Sequence, residues 1–433
     1  MLVALWQACL TARRWSYQKK LNKMLLRWIF FLSFFGLLQL YAFQAFKTIG
    51  LSKPLIIAYV VMVGIIFSNF MYFSIGYDRA TGWTQGISFS LGLFLALIVF
   101  QLILVLFLAF EDLLRLPQAL CRFFIERGEG NYLPSRRKFI SQIALGLAAI
   151  PFASLLIGMF KGKYNYKVLH YALTFDDLPQ AFDCFTITHI SDIHSGSFDN
   201  AAKVNYGVDL INKQQSDVIL FTGDIVNNKA EELLPWKDTF GRLSAKNGVY
   251  SVLGNHDYGD YVNWETKEDK VANLQQLFDL QTEMGFTLLR NKTHFLEKEG
   301  ERLALVGVEN WGKGGFKKKG DLNKAVASVE AKDFKILLSH DPSHWEAKVL
   351  PHPYNFHLTL SGHTHGMQFG IEIPGWFKWS PVKWRYKQWA GLYQENKQWI
   401  NVNRGFGFLG YPGRVGIWPE ITKITLKRST KEV

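Results

Sequence analysis

Long apolar runs fill the first third of the chain. The remainder is punctuated by short apolar runs that end in Asp, Asn or His. The long runs are Trp28–Phe46, Pro54–Gly76, Ile87–Phe110 and Phe139–Phe160. Each approaches or exceeds the ~20 residues an α-helix needs to cross a hydrocarbon core. Four of them in succession predict membrane-spanning helices rather than buried core helices. From about Tyr171 the pattern changes to short β-rich runs, helical spacings and glycine turns, which predicts a layered α/β fold. The expected organisation is a multi-pass all-α region over residues 1–165 and a globular domain over residues 166–433.

The short runs carry the chemistry. Phe185–Ile190 reads as a strand and leads into Ser191-Asp192-Ile193-His194. Val204, Val208 and Ile211 give residues 201–215 a helical spacing. Asp217–Phe221 leads into Thr222-Gly223-Asp224, and Val249–Leu253 into Gly254-Asn255-His256-Asp257. Phe334–Leu338 leads into Ser339-His340-Asp341, and Phe356–Leu360 into Ser361-Gly362-His363-Thr364-His365-Gly366. Any one of these endings is an ordinary turn former. In α/β sheets, however, the C-terminal strand ends converge on one edge, where ligands sit. Five endings of this kind supply enough oxygen and imidazole donors for two metal ions, which a shared carboxylate can hold ~3.5–4 Å apart. Mixed carboxylate and imidazole donors suit manganese, iron or zinc rather than calcium.

Composition sharpens this division. The hydrophobic content of 48% and the 35 phenylalanines reflect the region before residue 161. A net charge of +13 suits nucleic acid, anionic lipid or a phosphorylated substrate. No zinc-finger spacing or nucleic-acid module is present, so nucleic acid is not expected. Of Cys9, Cys121 and Cys184, only Cys184 lies in the globular part, which excludes an intradomain disulfide there and a Cys-rich metal site.

Charge also bears on orientation. With four spans, the N-terminus and the globular domain share a side. Basic residues flank both the first span (Arg13, Arg14, Lys19, Lys20, Lys23) and the fourth (Arg115, Arg122, Arg127, Arg136, Arg137, Lys138), and the positive-inside rule pulls these in opposite directions. Ser135-Arg136-Arg137-Lys138-Phe139-Ile140 resembles a twin-arginine export signal, although it is internal. This favours an extracytoplasmic domain on a bacterial cell membrane. Past the last histidine pair, Pro374–Trp389 mixes aromatics with Lys and Arg, which suits a membrane interface. The loop Gly312–Gly320 is basic and glycine-rich but lacks the spacing of a nucleotide P-loop.

The ordered blocks Asp-x-His, Gly-Asp, Gly-Asn-His-Asp, His and Gly-His-x-His resemble the calcineurin-like metallophosphoesterase superfamily over about residues 183–428. The tail Asn401–Gly407, with Pro412, Arg414 and Pro419-Glu420-Ile421, resembles its bacterial membrane-associated branch. The resemblance implies a four-layer α/β/β/α sandwich. It also implies two divalent or mixed-valence metal ions and a hydroxide between them that attacks a phosphate mono- or diester. By motif, Asp192, His194 and His365 would hold the first ion, Asp224 would bridge, and Asn255, His340 and His363 would hold the second. His256 would face the leaving group, with Asp257 orienting it. Met367 departs from the second glycine that relatives often carry after Gly366, which concerns only the loop shape. The expected partners are a phosphate-ester substrate, lipid-linked or envelope-derived among the options, and the lipid bilayer. Two alternatives stay open: a UDP-sugar-lipid pyrophosphatase of lipid A-type synthesis with a cytoplasmic domain, and a non-catalytic membrane sensor or scaffold retaining the fold.

Overall fold

The computed structural model describes residues 2–125, 134–373 and 375–429, with side chains from residue 22 onward except 24, 118–125 and 134. Arg127 and the side chains of Arg13, Arg14, Lys19, Lys20, Arg122, Cys9 and Cys121 lie outside the described residues. The chain forms two compact units, residues 1–68 with 94–153 and residues 69–93 with 154–433.

Four helices dominate the N-terminal third: α1 (Leu2–Ile49), α2 (Lys53–Ile75), α3 (Gln85–Ile125) and α4 (Pro134–Phe160). Their apolar segments Leu25–Ile49, Lys53–Ile75, Gln85–Pro117 and Ser135–Phe160 are long and apolar enough to cross a bilayer. α1 and α3 outrun their apolar segments, α3 continuing past Pro117 to Ile125. In the first unit, Ala42, Ala45, Ala144 and Ala148 let helices approach closely around Phe46, Leu104 and Leu108, the small-residue packing expected in lipid. Glu111 is buried and pairs with Arg115 and Arg137, and Arg137 also pairs with Asp112. The second arginine of the export-like pair therefore has an internal structural partner.

In the second unit, two six-stranded sheets lie face to face. The first runs β1 (Lys167–Phe175), β14 (Glu420–Arg428), β2 (Thr186–Ile190), β3 (Val218–Phe221), β4 (Val249–Ser251), β5 (Phe286–Leu288). The second runs β12 (Gly391–Glu395), β13 (Gln398–Val402), β9 (Leu358–Ser361), β8 (Phe334–Leu338), β7 (Glu301–Gly307), β6 (Lys292–Lys298). Between them lies a core that includes Ile187, Leu220, Leu305, Ile336 and Leu360. Helix α5 (Ala201–Asn212) and the helix Lys267–Glu283 cover the outer face of the first sheet through Val204, Val208, Leu277 and Leu280. Leu322, Ala325, Trp345 and Val349 cover the second. The layers are therefore α/β/β/α.

The strands the sequence predicts are present, Phe334–Leu338 with both ends as predicted and the others with ends shifted by at most two residues. β3 is buried at every position, which is why it reads as an unbroken apolar run; β8 is buried throughout as well, with its one charged residue, Lys335, donating to the Ala331 and Asp333 carbonyls. Helix α5 starts where the Asn200 side chain accepts from the Lys203 N–H. It stops short of the predicted residue 215 because Gln215 turns left-handed. β2, β3 and β4 run parallel, as do β7, β8 and β9, so their C-terminal ends open onto a common edge.

Candidate metal centre

Two clusters of donors meet at that edge. Ligand atoms of Asp192, His194 and His365 lie within 4.8 Å of one another, as do those of Asp224, His340 and His363. In the first, His194 Nε2 is 3.0 Å from His365 Nε2, and His365 Nε2 is 3.3 Å from Asp192 Oδ1. In the second, His340 Nε2 is 3.0 Å from Asp224 Oδ2 and 3.3 Å from His363 Nδ1. Asp224 Oδ2 also lies 3.7 Å from His194 Nε2, so this one oxygen faces both clusters. Asn255 is buried beside them. Its Nδ2 donates to Tyr261 Oη at 2.8 Å, and its Oδ1 has no hydrogen-bond partner among the described residues.

The backbone is bent to aim these groups. Asp192, His194, Asp224, His363 and His365 all have positive φ, between 49° and 70°. Asp and His enter this region more readily than most residues, but it is uncommon for any residue except glycine, and such strain concentrates at functional sites. Glycines make the close approaches possible. A Cβ on Gly362 would lie 1.9 Å from Ser191 Oγ and 2.1 Å from Asp192 Oδ2. One on Gly254 would lie 2.2 Å from Asp224 Oδ1.

Electrostatics agree with a cation site. Burial alone would raise Asp192, yet His365, His340 and His194 hold it well below the usual carboxylate range. Burial lowers His194, keeping it in the neutral form that ligates metal. Burial opposes charge on His340 too, but Asp224 outweighs it and raises the group to about 10, a proton that a cation would replace. Converging donors, a buried unpartnered amide oxygen and a paired acid–imidazole set all fit divalent cations.

Over residues 185–367 the chain matches the family described as "Calcineurin-like phosphoesterase". Over residues 26–163 it matches "Probable Calcineurin-like phosphoesterase, transmembrane domain". It is 30% identical over 305 residues to an uncharacterized metallophosphoesterase of Bacillus subtilis (strain 168), covering 68% of this chain and 98% of the relative. The chain is a calcineurin-like metallophosphoesterase. It is also 26% identical over 361 residues to a transmembrane protein with metallophosphoesterase domain of Danio rerio, covering 81% of this chain and 76% of the relative. An uncharacterized metallophosphoesterase of Helicobacter pylori (strain J99) is 26% identical over 304 residues, covering 68% of this chain and 74% of the relative.

The hydrogen bonds of this metallophosphoesterase give Asp257 partners other than the one its motif implies. Asp257 does not orient His256. Its carboxylate accepts from the backbone N–H groups of Gly254 (2.8 Å), Asp224 (2.9 Å) and Ile225 (2.8 Å). The residue sits where two ligand loops touch, so its acceptors are taken by amides. Burial, and then neighbouring Asp224, raise it to about 7. His256 is held instead by the Asn227 carbonyl, which accepts from Nδ1 at 2.7 Å. The Tyr261 ring stacks on it at 4.4 Å.

Two other supporting groups were given no role by the sequence, although Arg414 belongs to the tail that resembles the membrane-associated branch. Tyr386 Oη lies 2.8 Å from His363 Nε2 and 3.3 Å from Asp341 Oδ2. Arg414 is wholly buried, donates to the carbonyls of Arg404, Gly405 and Gly407, and lies 3.2 Å from His365 Nδ1. The sequence signals for both were faint: a tyrosine among basic aromatics and an arginine in a glycine-rich tail. The histidines without a motif have ordinary structural partners where buried, as His189 has in Thr222 and Asn401.

Proposed function

We propose that this membrane metallophosphoesterase is a dinuclear hydrolase of phosphate esters. In this reading Asp192, His194 and His365 hold one cation, Asn255, His340 and His363 the other, and Asp224 both. The observation that carries it is the pair of donor clusters sharing one Asp224 oxygen. When bound, the two cations supply positive charge for the phosphoryl oxygens and an acidified water.

The protein's own residues set the rest. Donation to Asn227 fixes the His256 proton on Nδ1 and leaves Nε2 for the substrate. Tyr261 fixes the ring plane. The His256 backbone N–H donates to Asp224 Oδ1 at 2.8 Å, tying the imidazole to the bridging carboxylate. With a second proton on Nε2, His256 is placed to donate to a phosphoryl or leaving oxygen, a contribution worth roughly 10²–10⁴-fold when it includes proton transfer. A substrate carried by the membrane, lipid-linked or envelope-derived, suits a domain tethered by four apolar helices. The complete ligand set favours an enzyme over a sensor that merely retains the fold. The basic flank of the fourth span (Arg115, Arg136, Arg137, Lys138) supports an extracytoplasmic domain, and a reporter fused to the C-terminus tests this.

The full chain in detergent should hydrolyse an aryl phosphodiester or monoester when supplied with manganese. His256→Ala should lower kcat by about 10²-fold or more. Asn255→Ala should weaken binding of one ion. Full activity in both variants, or bound metal with no hydrolysis in the parent chain, overturns the proposal.

A further inference from the structure

One element of the catalytic unit is inside out. β10 (Ile371–Ile373) and β11 (Phe377–Trp379) form an isolated antiparallel hairpin beside the metal loop. In its register Ile371 faces Trp379 and Ile373 faces Phe377, so these four side chains share one face. Glu372 pairs with Lys378 on the other. The polar face makes the hairpin's side-chain hydrogen bonds to the rest of the unit, although Lys378 is itself exposed and Trp379 on the apolar face is half-buried. Glu372 binds the buried Arg404, and Lys378 Nζ donates to the Ala390 carbonyl at 2.6 Å and lies over the Tyr393 ring. Ile371, Ile373 and Phe377 are exposed.

The apolar face continues past the hairpin. Trp376 at its turn is 81% exposed, and Trp384, edge-on to Trp379, is 75% exposed. At roughly 250 Å² per indole side chain, these two alone present about 400 Å² of aromatic surface, within the size range of the largest apolar patch on a monomer, which is often functional. Exposed Lys383, Arg385 and Lys387 border it.

The root of the hairpin joins the last turns of α4. The Arg414 N–H donates to the Gly158 carbonyl, and a Cβ on Gly158 would touch Val415. The Val415 carbonyl in turn accepts from the Gly370 N–H, the residue before β10. The apolar face thus begins a few residues from a membrane-spanning helix. Tryptophans flanked by Lys and Arg are the side chains that settle at the headgroup boundary.

We propose that the β10–β11 hairpin and Trp384 form a second membrane contact, inserted into the surface of the bilayer that α4 crosses. The occupant is lipid. Trp and aliphatic side chains enter the acyl boundary, and Lys383 and Arg385 meet anionic headgroups.

The test uses the full chain in liposomes of phosphatidylcholine and phosphatidylglycerol, with Cys9, Cys121 and Cys184 replaced by Ser. A bimane fluorophore is attached at Trp376→Cys or Ile373→Cys, and at Val271→Cys on the exposed helix Lys267–Glu283 as the aqueous reference. Lipids brominated along the acyl chain should quench the 373 and 376 labels at least twofold and leave the 271 label unchanged, with iodide showing the reverse. Equal iodide quenching at all three sites overturns the proposal. So does protection of 373 and 376 from both quenchers, which would mean that protein, including a second copy of the chain, covers the face. Both labelled residues are exposed, so the substitutions leave the folded core untouched, and retained metal content verifies this in each sample.

Discussion

Asp257→Asn separates two roles for a buried carboxylate. In the structure Oδ2 accepts from Asp224 N–H (2.9 Å) and Gly254 N–H (2.8 Å), and Oδ1 accepts from Ile225 N–H (2.8 Å). An amide has one acceptor oxygen. If that oxygen keeps the two bonds of Oδ2, its NH₂ must face the Ile225 N–H. One charge-assisted bond is lost and one buried amide is left unpaired, at a cost of about 2–4 kcal/mol. Burial already raises the carboxyl to about 7, so part of that cost is offset by removing an unfavourably buried charge. The lower end, ~2 kcal/mol, is expected, and for a domain of this size that is a fall in Tm of roughly 4–8 °C. Scanning fluorimetry of the full chain in detergent measures it, alongside metal content. Because the clamp joins the Asp224 and Asn255 loops, metal affinity should fall as well, while kcat at saturating metal changes little. The opposite pattern, an unchanged Tm with kcat reduced about 10²-fold or more, would refute the clamp and restore Asp257 as the orienter of His256.

Three further outcomes follow from the same geometry. Gly362→Ala places a methyl 2.1 Å from Asp192 Oδ2 and should abolish binding of one ion by elemental analysis while the far-UV spectrum is kept. Tyr386→Phe removes the 2.8 Å contact to His363 Nε2 and should weaken metal binding about 10–100-fold, read by titration calorimetry. Stripping metal with a chelator should lower Tm, and manganese at 100-fold above its Kd should restore about 2.7 kcal/mol per site. An unchanged Tm would mean that the site is equally stable empty.

The proposed metal ligands were legible in the sequence because each stands at the end of a recognisable apolar run. The motif order carried Asp192, His194, Asp224, Asn255, His340, His363 and His365 to one place. Their supports were not legible. Asp257 and Asn227 act through or upon backbone amides and carbonyls, and which amide points where depends on loop conformation rather than residue type. The site of β14 was hidden too. Glu420–Arg428 slots between β1 and β2, parallel to one and antiparallel to the other, from a position more than two hundred residues downstream. The hairpin at Ile371–Trp379 was visible as a basic aromatic segment, but its inverted polarity depended on knowing that Arg404 and Ala390 lie beneath it.

The left-handed backbone at five of the proposed metal-binding positions reaches beyond catalysis. At about 1 kcal/mol each, those conformations cost about 5 kcal/mol together, against a whole-domain stability of roughly 5–15 kcal/mol. That cost is already contained in the net figure, and a copy that has found no cation lacks the stability that bound ions would add, which leaves it the more exposed to proteases. Scarcity of the ion would then lower the abundance of the protein as well as its turnover, so that the cell's supply of a trace element governs how many copies persist.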